Sequence, residues 1–293
     1  MRLARQPGNT VLFQIRLDAD AVELARYPWE LLHDSNRHIS RVNSIQMVRY
    51  ITHNEATTPL HINPPIRLLY VRSRPRVLYT PINEQEYQSV QQSLQPLIEE
   101  AFLDVKYIHN CSYDAFICAV QEYKPHILHF DGHGEFGCYC KRCKKIYSPL
   151  KKKCNVCDLP LDTPKGHLAF EQVEDSVDWI NSDKIASIFD ASLRLAVLSA
   201  CRSSVVRSET LFNGVAPSLI RSGVPAVVGT QLPVSFHAAN KFSEDFYASL
   251  SRYEPVPVAV ASGRQRLINS EEWFIPVLYL RSADDDGRIF VRA

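Results

Sequence analysis

An α/β fold built on a mostly parallel sheet is what this 293-residue sequence predicts, and three observations predict it. Several short runs are apolar almost throughout, among them Ile127-Leu-His-Phe130, Leu195-Ala-Val-Leu198 and Val227-Val228. Runs of that kind suit strands covered on both faces. Other segments carry apolar residues at three- and four-residue spacing, the stripe of an amphipathic helix. The two patterns alternate along the chain, as layered strand–helix units require.

Taken in order, the strand candidates are Val11–Leu17, Arg67–Arg72, His126–Phe130, His167–Phe170, Arg194–Ser199, Ala226–Gly229, Ile275–Leu280 and Ile289–Val291. All are short, and most are rich in β-branched or aromatic residues. The helix candidates are Glu84–Phe102, with Tyr87, Val90, Leu94, Leu97, Ile98 and Phe102 on one stripe, and Ser112–Glu122, with Phe116, Ile117 and Val120. Ala216–Ser222, Phe236–Ser251 and Pro255–Leu267 follow the later strands; the prolines of the last sit at its start, where a helix tolerates them. The Pro-rich stretch Thr58–Pro65 reads as a linker between a leading piece, residues 1–65, and a core, residues 66–293. Asp284–Gly287 reads as a hairpin turn between two closing strands.

Composition sets outer limits. A net charge of +1 gives no global attraction to nucleic acid or membrane, so any such attraction must be local. No apolar run is long enough to cross a bilayer, and the start lacks a signal-peptide pattern, so a cytoplasmic location is expected. Five of the eight cysteines (Cys138, Cys140, Cys143, Cys154, Cys157) crowd into one window, which suits metal binding better than a disulfide framework.

Within that window Cys140-x2-Cys143 and Cys154-x2-Cys157 supply two knuckles. Two thiolates from each complete a tetrahedral all-sulfur site for structural zinc, with no open position for water or substrate. Cys138 is a spare that could stand in for Cys140 with a different loop, and Cys140 is preferred. The insert, residues 138–160, has too few apolar residues to fold unaided, so the metal would provide the missing folding energy. Lys141, Arg142, Lys144, Lys145, Lys151, Lys152 and Lys153 line it, with no acidic residue from Cys138 to Cys157. Such a patch offsets the charge of a zinc–tetrathiolate centre; it also offers a surface for an acidic partner or a nucleic-acid backbone.

Two strand ends carry the chemistry. The first runs into Gly132-His133-Gly134 and the second, Arg194-Leu-Ala-Val-Leu-Ser-Ala-Cys201, ends on a cysteine. Open α/β sheets place their ligand sites at the carboxyl ends of strands. Adjacent parallel strands would bring His133 and Cys201 together, the pairing that thiol nucleophile catalysis needs.

The segments HFDGHG, AVLSACRSS and PSLIRSGVPAVVGTQLPVSFHAANKFSEDFYASL, with Tyr27-Pro-Trp-Glu-Leu-Leu32 before them, resemble the CHAT peptidases, caspase-like proteins related to separases. The resemblance implies a caspase-hemoglobinase-like three-layer sandwich, a mostly parallel sheet with helices on both faces, to which the zinc-knuckle insert is an addition. It makes the leading piece an N-terminal CHAT subdomain. It implies a cysteine endopeptidase with His133 as general acid/base, Cys201 as nucleophile, and the backbone N–H groups of Gly134 and Cys201 as the oxyanion hole. Candidate substrate-pocket residues are Asp131, Gln231 and Phe236, the last standing where many relatives carry an aspartate that pairs with a substrate Arg or Lys. An apolar or small residue is then expected before the cleaved bond. By resemblance, the partners are a protein substrate and an activating sensor module or partner chain, in bacterial defence (CRISPR- or gasdermin-linked) or signalling. The rival reading is an inactive CHAT-like module that binds a partner or nucleic acid through its finger.

Overall fold

The computed structural model describes residues 10–17, 24, 27–42, 44–51, 57–78, 89–172, 176–199, 214–281 and 286–293. Its centre is an eight-stranded sheet in the order β1-β2-β13-β12-β11-β6-β4-β5. The strands are β1 (Val11–Leu17), β2 (Ile45–Ile51), β4 (Ile66–Ser73), β5 (Leu103–Ile108), β6 (Ile127–Gly132), β11 (Leu195–Ser199), β12 (Ala226–Thr230) and β13 (Pro276–Leu280). Every pairing is parallel except β12 with β13. The carboxyl ends of β12, β11, β6 and β4 therefore lie along one edge, which is where the candidate site residues fall.

Strand alternation sorts the core into two layers. From β4, Leu68 and Tyr70 join one cluster and Leu69 and Val71 the other, as a period of two dictates. The first cluster is closed by α1 (Ser89–Glu99), α5 (Phe236–Ser251) and α6 (Val256–Arg266). The second is closed by α2 (Tyr113–Tyr123), α3 (Ser182–Ala186) and α4 (Val215–Arg221). This is the expected three-layer sandwich with helices on both faces. Local signals begin and end its helices. The Ser112 hydroxyl accepts from the Ala115 N–H at the start of α2, and Lys124, at φ 46°, turns the chain after it.

A second, four-stranded sheet runs in the order β10-β9-β7-β8: β7 (Gly134–Cys140), β8 (Lys145–Tyr147), β9 (Lys165–Gln172) and β10 (Ser176–Asn181), all antiparallel. It grows directly out of the histidine strand, since β7 begins one residue after His133.

The hairpin expected across Asp284–Gly287 does not form between the flanking strands. β14 (Phe290–Val291) pairs in parallel with β3 (Leu60–His61), inside the stretch read as a linker. Both edges of β13 are already taken, by β12 and β2, so the returning chain pairs elsewhere. Residues 282–285 of that turn lie outside the described residues.

The leading strands join the main sheet through β2 and β13, fastened by a buried ion pair. Arg49 Nη2 lies 2.6 Å from Glu30 Oε2, and both side chains are fully buried. Arg49 also donates to the Tyr279 hydroxyl at 3.2 Å, and Arg264 stands 3.6 Å from the other Glu30 oxygen.

Candidate active site and metal centre

Strand β6 is buried along its whole length and delivers His133 to the carboxyl edge of the sheet. The residue before the histidine has to be glycine: a Cβ on Gly132 would stand 2.5 Å from the Phe130 ring and 2.7 Å from the Ser73 carbonyl oxygen. The His133 carbonyl accepts from the Ala169 N–H at 2.9 Å, which splices β6 onto the second sheet. Its imidazole is fully buried and meets the Trp179 ring edge-to-face, centroids 5.7 Å apart. Burial pulls its pKa down to about 4, so the ring is neutral at neutral pH with a nitrogen able to accept a proton.

Cys201 lies outside the described residues, and so does the Cys201 N–H expected in the oxyanion hole. The described register stops just short of it. Strand β11 runs parallel to β6, and their last paired residues are Ser199 and Asp131. His133 is two positions beyond Asp131, and Cys201 is two positions beyond Ser199.

Asp131 is buried among cations. Arg74 Nη2 lies 2.6 and 2.7 Å from its two oxygens, Tyr70 donates to it at 3.2 Å, and Arg72 Nε is 3.6 Å away. Burial alone would raise its pKa, but Arg74, with Arg72 beside it, holds the carboxyl below its ordinary value. The Arg74 guanidinium also stands 4.9 Å above the Phe236 ring, so Phe236 and Asp131 meet through one arginine. Gln231 belongs to a different cluster. Its amide oxygen accepts from Arg49 at 3.0 Å, and its amide nitrogen donates to Glu30 at 3.1 Å and to the Phe274 carbonyl at 2.6 Å. Both ends of Gln231 thus brace the leading strands against the sheet.

Sequence reasoning passed over Arg72, Arg74 and Trp179. Arg72 falls at the end of β4 and Arg74 just past it, positions that can be read as a solvated exit, and Trp179 becomes relevant only once β10 folds back beside β9. His129, in the same HFDGHG run, is a core residue. Its Nδ1 is 2.8 Å from the Tyr247 hydroxyl, its ring stacks on Tyr70 at 4.8 Å, and burial lowers its pKa to about 4.

The four cysteines converge. The Sγ atoms of Cys140, Cys143, Cys154 and Cys157 all lie within 4.8 Å of one another, with Cys140–Cys157 at 3.6 Å and Cys143–Cys154 at 3.7 Å. A tetrahedral site with metal–sulfur bonds of about 2.3 Å has sulfurs about 3.8 Å apart, so the donor set fits such an ion. The two knuckles share one design. In each, the N–H of the residue after the second cysteine donates to the carbonyl of the first (Lys144 to Cys140 at 2.8 Å, Asp158 to Cys154 at 3.0 Å), and that residue takes a left-handed φ, 52° and 56°. Backbone N–H groups of Cys143 and Val156 point at the Cys140 and Cys154 sulfurs, at 3.5 and 3.4 Å. Cys138 stays out of the cluster and donates to the Pro149 carbonyl. Around the cluster Leu150 is 88% and Val156 68% exposed, and Ile146 and Tyr147 are only half-buried, so few apolar side chains hold the finger together.

Two solved structures similar to the chain are both of the Saccharomyces cerevisiae separase–securin complex, at 2.6 and 3.0 Å resolution. Identity is 11% and 13%, TM-scores are 0.45 and 0.49, and 89% and 91% of this chain is covered. The chain spans 15% of the length of those separase chains. No curated protein matches at significance. The CHAT domain family model matches residues 2–278, nearly the whole chain, and the chain belongs to the CHAT domain family.

Proposed function

We propose that the chain is a cysteine endopeptidase that cuts a specific protein substrate, with Cys201 as nucleophile and His133 as its proton partner. The observation that supports this most is the parallel register of β11 on β6, which ends at Ser199 opposite Asp131 and leaves His133 and Cys201 each two residues further on. As the Cys201 sulfur attacks the substrate carbonyl carbon, its proton passes to the neutral His133 ring, and the carbonyl π pair moves onto oxygen. The N–H groups of Gly134 and Cys201 would hold that oxyanion. When the C–N bond breaks, the imidazolium protonates the leaving amine, and water then hydrolyses the thioester. A histidine with a pKa near 4 does not favour a resting thiolate–imidazolium pair, so proton transfer accompanies attack.

The Asp131 carboxylate is already engaged by Arg74, and the Arg74 charge covers Phe236. A cationic side chain before the cut bond would find no acid here, which favours an apolar or small one. The cysteine cluster is assigned to structural zinc: four thiolates close the coordination shell, and zinc would supply the folding energy that the outward-facing apolar residues do not. Among the described residues no helix is long and apolar enough to cross a membrane. An activating partner chain or sensor, and a role in bacterial defence or signalling, rest on the family resemblance.

The test is a thiol-reactive peptide, an acyloxymethyl ketone ending in alanine, read by intact-mass spectrometry. One adduct on Cys201 is expected, lost in Cys201→Ala and slowed at least a hundredfold in His133→Ala. Equal labelling of His133→Ala would instead support an interaction module that has lost catalysis.

A further inference from the structure

One face of the second sheet has no role in the chemistry above. Register places Glu135, His167 and Asn181 side by side across β7, β9 and β10, and Trp179 beside Ala169, all on the face away from the core residues Leu168 and Phe170. Over that face lies a cleft of about 620 Å³, lined by Tyr139, His167, Trp179 and Asn181 below and by Lys141, Lys165, Lys184, Asp162 and Thr163 at its rim. Its size falls within the roughly 300–1,000 Å³ typical of ligand clefts.

Three features define an occupant. The lining holds three lysines against one aspartate. Two of the lysines are in ion pairs, Lys141 with Asp162 at 3.3 Å and Lys165 with Asp183 at 2.5 Å, but these are solvent-exposed pairs, weak in water and easily exchanged for a ligand's carboxylates. Lys184 has no ion-pair partner among the described residues. The floor is aromatic, and Trp179 both lines it and packs against the buried His133 ring, so the cleft lies one side chain away from the proposed catalytic histidine. The adjoining finger adds Arg142, Lys144, Lys145, Lys151 and Lys152, exposed and without ion pairs among the described residues. Burial keeps His167 neutral, with a pKa near 4, so the charge of the cleft is that of its lysines.

We propose that this cleft docks an acidic segment of the protein substrate, with carboxylates on the Lys141, Lys165 and Lys184 rim and apolar side chains on Trp179 and Tyr139, and so holds the scissile region beside His133. The identification of the occupant as substrate rests on the peptidase reading. A peptide suits the cleft better than a nucleic acid because Asp162 and Asp183 interrupt the lysines: spaced carboxylates with apolar residues between them can straddle these acids, whereas a continuous phosphate chain meets them.

Fluorescence anisotropy on the zinc-loaded 293-residue Cys201→Ala chain tests this, with a fluorescein-labelled peptide of four Glu-Leu-Glu repeats as probe. Binding is expected, weakened at least tenfold by Lys165→Ala/Lys184→Ala with zinc content and melting temperature kept. Lys151→Ala/Lys152→Ala, outside the cleft, should change it less than threefold, and a Lys-Leu-Lys repeat should not bind. The docking site is refuted if the acidic peptide does not bind, if the cleft variant binds it equally well, or if a labelled oligo-dT 20-mer binds more tightly and is the ligand displaced by the cleft substitutions. Failure here with Cys201 labelling intact overturns docking alone. Peptide binding with His133-independent labelling overturns the occupant's identity as substrate.

Discussion

Replacing Asp131 with asparagine separates a structural role for this carboxylate from a substrate-binding one. The side chain is 7% exposed, its oxygens lie 2.6 and 2.7 Å from Arg74 Nη2, and Arg72 is 3.6 Å away. Asparagine keeps the shape and removes the charge that both guanidiniums face. Breaking a buried pair in this way costs about 3–5 kcal/mol, mainly because the remaining charge stays desolvated. At about 2–4 °C per kcal/mol for a chain of this size, the melting temperature should fall by at least about 6 °C. The double variant Asp131→Asn/Arg74→Gln should lose less than the sum of the singles, by about 0.5–3 kcal/mol, because the carboxylate and the guanidinium that face each other are removed together. Differential scanning calorimetry of the three variants measures both quantities. A shift under about 2 °C for Asp131→Asn, with a raised KM for peptides, would refute the structural role and return Asp131 to the substrate pocket.

Further outcomes follow from the same geometry. Cys154→Ser should lose its zinc to a chelator that leaves the parent and Cys138→Ser fully loaded, as inductively coupled plasma mass spectrometry would show; zinc retained by Cys154→Ser, or lost from Cys138→Ser, contradicts the ligand set. His126, His129, His133 and His167 are all held near pKa 4 by burial. Between about pH 6.5 and 4 the unfolded chain takes up protons that the native one does not, so stability should fall as pH drops through that window; a melting temperature unchanged or higher at pH 5 than at pH 7 contradicts this. A peptide library with each residue in turn before the cut bond should be cleaved best at apolar or small residues, and strict Arg or Lys preference would overturn the reading of Phe236.

The sequence made the fold legible where one signal dominated. Strands β6, β11 and β12 are apolar runs buried on both faces, and the helix expected over Phe236–Ser251 forms with those bounds, the Ser235 hydroxyl accepting from the Ala238 N–H at its start. Strand β2 was missed because Gln46 and Arg49 interrupt Ile45–Ile51, and Arg49 reads as solvent-facing until its partner Glu30, 19 residues earlier, is in place. Strand β5 was missed as an edge strand whose Asp104 reaches solvent. In β7 the glycines and cysteines of Gly134–Cys140 carried motif signals that hid a strand. At the site, motif spacing located His133 and the four zinc-ligand candidates, whereas Arg72, Arg74 and Trp179 acquire meaning only through contacts between distant segments.

The pairing of His133 with Cys201 is tested most directly by a crystal structure of the zinc-loaded chain that resolves both side chains. The account predicts the Cys201 sulfur within about 4 Å of a His133 ring nitrogen, hydrogen-bond reach with the looseness of a substrate-free site. A sulfur on the opposite face of the sheet from His133 would contradict it.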